Sequence, residues 1–89
     1  MPSREVTIIN KLGLHARAAA KFVALASSFE SEVELKHGPR CVNGKSIMGV
    51  MMLAASKGKV VEIIANGPDE TAALDALEAL INNRFGEDE

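Results

Sequence analysis

With 89 residues, a formal net charge of -2 and only three aromatic side chains, all Phe, the chain lacks the basic face and stacking rings of a nucleic-acid binder. That length suits one domain, residues 1–89, which buries roughly 60 to 70% of its unfolded surface, enough for a single modest core. The lone Cys41 excludes an internal disulfide, Met1–Glu5 is charged where an export signal is apolar, and no apolar run reaches membrane-spanning length, so a cytoplasmic protein without membrane partners is expected.

Glu5–Asn10 (EVTIIN) alternates around Val6 and Ile8 and predicts a strand. A turn marked by Gly13 leads into an alanine-rich helix, Ala16–Phe29, with Ala19, Phe22, Val23, Ala26 and Phe29 on one face and Arg17, Lys21 and Ser28 on the other. Ser31–His37 predicts a second strand, with Val33 and Leu35 inward and charged residues outward. Past Gly38-Pro39 a short strand, Arg40–Asn43, closes at Asn43-Gly44. Ser46–Ser56 reads as a helix that is apolar nearly all round, and Lys59–Asn66, rich in Val and Ile, as a fourth strand. In the last helix Pro68 fits the first turn and Asp69 and Glu70 suit its dipole. Ala73, Leu74, Leu77, Leu80 and Ile81 make its buried stripe, and Gly86 after Arg84 is its stop. The order β-α-β-β-α-β-α predicts an α+β fold, one sheet face covered by three helices and the other wet.

Several chemistries find no support in this pattern. His15, His37 and Cys41 have no paired spacing suited to a metal, and no cofactor is expected. Around GPRCVNGKS a phosphate loop would need a glycine where Pro39 stands, Gly38 being off by one, and no carboxylates pair for acid–base work.

His15 stands where a helix is ordinarily capped by Ser, Thr, Asp or Asn. A histidine in a turn is most often just exposed or bonded to a nearby carbonyl, but three neighbours favour a function. The amides of Ala16 and Arg17 open a helix amino terminus that binds anions, the Arg17 guanidinium suits phosphate oxygens, and Gly13 permits a tight approach. Val6–Phe29 carries Lys11, Arg17 and Lys21 and no acid, which favours an anion there. An imidazole so placed can hold a labile phosphoryl group. Lacking a metal and nucleotide grip, it must receive that group from another protein. Ile47, Met48, Met51 and Met52 cannot all point inward from a short helix, so with Leu14 and Ala20 they form the candidate partner surface. Ser46 is placed to cap that helix.

GLHARAAA together with NGKSIMGVMML resembles, over nearly the whole chain, the histidine-containing phosphocarrier family, HPr, of the bacterial phosphoenolpyruvate-dependent phosphotransferase system. The resemblance implies an open-faced β-sandwich, a four-stranded antiparallel sheet with three helices on one face, and a monomeric carrier that is not itself an enzyme. It also implies that His15 takes a phosphoryl group on Nδ1 from enzyme I and gives it to an enzyme IIA-type protein, that Arg17 assists, and that Ser46 matches a serine phosphorylated by a kinase in some members. The family usually reads HARPA, whereas Ala18 stands at the proline position here. HARAAAKF and the acidic end RFGEDE look more like NPr, the carrier of the nitrogen-related branch, than like a sugar-uptake HPr. A non-catalytic adaptor and a small acylphosphatase-like hydrolase are the rival classes.

Overall fold

Residues 2–88 are described by a computed structural model. Four alternating segments form strands β1 (Ser3–Thr7), β2 (Glu32–His37), β3 (Arg40–Asn43) and β4 (Val60–Asn66). Three segments of helical periodicity form α1 (Ala16–Ser27), α2 (Ile47–Met52) and α3 (Glu70–Asn82), and a 3-10 turn, Arg84–Gly86, follows. The strands pair antiparallel in the order β1-β4-β2-β3, with Val6 opposite Val61, Leu35 opposite Ile63 and Val33 opposite Ala65. Because side chains alternate along a strand, this register gathers those six residues on one face, where all are buried. Glu5, Glu32, Glu34 and Lys36 occupy the other face and stay exposed.

Against the apolar face α1 buries Ala18, Ala19, Phe22, Val23 and Ala26, and α3 buries Ala73, Leu74, Leu77 and Ile81. From α2 only Val50 turns inward. This is the open-faced α+β arrangement expected from the element order.

The element ends differ from the sequence reading for local reasons. β1 stops at Thr7, not Asn10, although Ile8 N–H still donates to Lys59 O (2.8 Å) and Gly58 N–H to Ile8 O (2.7 Å). α2 ends at Met52 and not near Ser56, because Ala54 turns left-handed at φ 53. Pro68 lies ahead of α3, outside its first turn, and Asp69 takes the cap position. Beyond Asn82 the chain does not simply stop at Gly86: Arg84 and Phe85 are left-handed, each at φ 54, and Phe85 is fully buried.

Asp69 does more than suit a dipole. Its carboxylate accepts the backbone N–H of Glu30 (2.9 Å), the backbone N–H of Ser31 (2.9 Å) and the hydroxyl of the buried Ser31 (2.5 Å), tying the entry of β2 to the start of α3. The Ser31 hydroxyl first, then the Glu30 amide, hold this carboxyl below the usual carboxylate range. A lowered native pKa stabilises the fold above the unfolded-state pKa, and that contribution fades as pH falls through the native value. The stability gap between wild type and Asp69→Asn, read from urea unfolding over an acid pH series, should therefore narrow as the pH drops. A gap constant across the series would contradict this role.

Candidate functional site

The turn before α1 is fastened at three points. Asn10, fully buried, donates from Nδ2 to Gly13 O (2.9 Å), and Gly13 N–H returns a bond to Asn10 O (3.2 Å). Gly13 adopts φ 65, and a Cβ there would lie 2.5 Å from Ala55 O, so no other residue fits without moving the chain. Leu14 N–H donates to the same Ala55 O (3.0 Å).

So held, the chain delivers His15 to the N-cap of α1 in an extended conformation, φ -75 and ψ 178. Its carbonyl accepts the Ala19 N–H (2.8 Å), but its side chain makes no capping bond. The imidazole is thus left for other work beside the first amides of α1, those of Ala16 and Arg17, which by position have no carbonyl four residues back within the helix. The ring is 28% exposed, and its Nε2 lies 2.5 Å from Glu87 Oε2.

Glu87 is gripped in turn, its Oε1 accepting a hydrogen bond from Asn10 Nδ2 (3.0 Å). Burial alone would raise the Glu87 carboxyl. The hydrogen bonds from Asn10 and His15 and the nearby charge of Arg17 outweigh it and hold the group below its ordinary range. Arg17 and Glu87 line an open cavity of about 440 Å³ with Lys11, Lys21 and Asp88, so three basic residues of α1 and of the turn before it face the two acids that follow Gly86. The contribution of Glu87 was missed by sequence reasoning, which read RFGEDE only as an acidic end.

Of the candidate partner surface, Ile47, Met48, Met51 and Met52 are all exposed, Met48 by 69%, and Ala20 is exposed on α1. Ser46 caps α2 as expected, its Oγ accepting Gly49 N–H (3.1 Å). Leu14 does not belong to this surface: at 5% exposure it packs in the hydrophobic core, its amide pinned to Ala55 O. Leu12, by contrast, is exposed in the turn before His15. The signal was an apolar residue between Lys11 and Gly13, where a turn is normally polar. Among the described residues, no group of three His, Cys, Asp or Glu side chains is placed to hold a metal, and no helix is long and apolar enough to cross a membrane.

The family model described as "PTS HPr component phosphorylation site" matches residues 2–83. The chain belongs to the HPr family. A phosphocarrier protein HPr of Cupriavidus necator is 60% identical over 89 residues, covering 100% of both chains. A phosphocarrier protein NPr of Shewanella violacea is 45% identical over 84 residues, 94% of this chain and 92% of its own length. The crystal structure of HPr-C-His from Thermoanaerobacter tengcongensis has the same fold, with a TM-score of 0.95 at 47% identity over 100% of both chains. Membership of the HPr family makes the chain a phosphocarrier protein of the phosphotransferase system and not an enzyme in its own right.

Proposed function

We propose that His15 Nδ1 accepts a phosphoryl group from enzyme I and passes it to an enzyme IIA-type protein. The observation that carries this reading is the N-cap imidazole that makes no cap: it stands at the helix end with Nε2 engaged by Glu87 and Nδ1 left to react. In the transfer, the Nδ1 lone pair forms the N–P bond as the donor's bond to phosphorus breaks, and that electron pair leaves with the donor. The phosphoryl oxygens meet the amides of Ala16 and Arg17 and the Arg17 guanidinium, which offset their charge. Passing the group on reverses the step, with no water required.

Incubation with enzyme I, phosphoenolpyruvate and Mg²⁺ tests the reading. A retained phosphate, labile in acid and stable in alkali, supports the carrier. Free phosphate released by the chain would instead mark a hydrolase, and absence of label an adaptor.

Ile47, Met48, Met51 and Met52, with Ala20 and Leu12, form the surface on which donor and acceptor dock in turn. Flexible thioethers adapt to more than one partner. A carboxylate at the most exposed of these would be desolvated on docking, so Met48→Glu should lower kcat/KM with enzyme I by about 30-fold, the loss of about 2 kcal/mol typical of an interface hot spot. Normal transfer by this variant would remove α2 from the interface. Ser46 sits at the edge of the same surface; its resting role is the cap, and a serine kinase acting there would place a dianion beside the docking face.

For the branch, Ala18 at the family's proline position and the RFGEDE end support a nitrogen-related carrier. The higher identity to a protein named HPr favours a sugar-uptake carrier as the second reading. Transfer of label from the phosphorylated chain to a nitrogen-branch enzyme IIA, set beside transfer to a sugar-specific one, separates the two.

A further inference from the structure

Asn10 and His15, five residues apart, form one hydrogen-bonded array with the distant Glu87. Asn10 Nδ2 donates both to Gly13 O (2.9 Å) and to Glu87 Oε1 (3.0 Å), while Glu87 Oε2 meets His15 Nε2 at 2.5 Å. Asn10 is wholly buried and fixed to the backbone of the turn that carries His15, so it holds the carboxylate at a set angle to the ring. From the other side Lys21 Nζ donates to Phe85 O (2.6 Å), which fastens the segment that brings Glu87 here.

Resting on the carrier reading above, we propose that Glu87 is a positioning residue for phosphoryl transfer, holding the neutral His15 ring with its proton on Nε2 and its lone pair on Nδ1. An ionised carboxylate only accepts hydrogen bonds, so the hydrogen between the two groups belongs to Nε2 and the neutral ring must be nucleophilic at Nδ1. As the Nδ1 pair forms the N–P bond the ring becomes cationic, and the carboxylate on Nε2–H stabilises that charge. When the group moves on, the electron pair of the N–P bond returns to Nδ1 and the Nε2 proton stays in place. Neither half of the transfer needs a proton to be exchanged. The logic matches the buried carboxylate that orients a catalytic histidine in hydrolases.

Glu87→Gln tests this sharply, because both groups that flank residue 87, Asn10 Nδ2–H and His15 Nε2–H, are donors, and an amide offers one acceptor oxygen. An amide that keeps its oxygen on Asn10 turns its NH₂ toward Nε2, which must then be unprotonated, moving the ring proton to Nδ1. In ring ¹⁵N NMR of the unphosphorylated protein, wild type should show Nδ1 without a proton, and Glu87→Gln should gain an Nδ1–H population. Its kcat as a substrate of enzyme I should fall about 10- to 100-fold with KM unchanged. A variant with the wild-type tautomer and rate would overturn the proposal; so would a raised KM with the tautomer unmoved, which would assign Glu87 to docking. Wild type that takes no label fails the carrier reading itself, and the tautomer measurement, which needs no phosphate, still decides whether Glu87 places the ring's proton.

Discussion

His15→Ala should take no acid-labile phosphate from enzyme I while folding as the wild type does. The expected loss is complete, since no second imidazole shares the surroundings of the first. His37, the other histidine, ends β2 opposite Arg40 of β3, on a strand and not at a helix amino terminus. The Lys21 amine, near enough to line the same cavity, is committed to Phe85 O. Folding should survive because the His15 side chain makes no cap bond and its backbone carbonyl still accepts the Ala19 N–H. What disappears is the single bond to Glu87, worth about 1 kcal/mol, so the thermal midpoint should move only slightly. His37→Ala should label normally. Label on His15→Ala, or its loss from His37→Ala, would move the phosphoryl site elsewhere in the chain.

The expected centre of the site was legible because its determinants are local. A histidine at a cap position, a glycine two residues before it and an arginine two residues after it lie within one turn of chain, and each has a meaning independent of the rest of the fold. The strands β2 and β4 and the stripe of α3 were legible for a similar reason: alternation and helical period are properties of a short window, and Val33, Leu35, Ala73 and Leu77 all fall inward as their spacing requires. Residues that depend on distant neighbours were not. Leu14 carries no local sign that its amide will be tied to Ala55, and Glu87 belongs to the site through Asn10, on the opposite side of the sequence. Leu12 and Met48 are exposed where hydrophobicity alone would bury them, and no local pattern in the sequence marks which apolar residues stay outside the core.

The sharpest case of a distant determinant is Phe85, and its removal should be the most damaging change in the core near the site. Phe85→Ala should destabilise the protein by about 3 to 5 kcal/mol, the usual cost of truncating a wholly buried phenylalanine. Arg84 and Phe85 both sit in the left-handed region, a conformation that costs roughly 1 to 2 kcal/mol per non-glycine residue. Burial of the ring is what offsets that strain, and Gly86, at φ 78, then turns the chain back toward His15. Without the ring, the turn has no reason to keep its shape, and Glu87 loses its approach to the imidazole as the core loses an anchor. Urea unfolding should show the lower midpoint, and ring ¹⁵N NMR of the folded variant should show a mixture of the two neutral tautomers, with an Nδ1–H population above wild type and below that of Glu87→Gln, since no donor then faces Nε2. Phe85→Leu, which keeps most of the buried volume, should cost far less and leave the tautomer as in wild type. If Phe85→Ala unfolded at the wild-type midpoint, the burial of this ring would contribute nothing; if it were destabilised with the tautomer unchanged, Glu87 would reach His15 without the turn that now carries it.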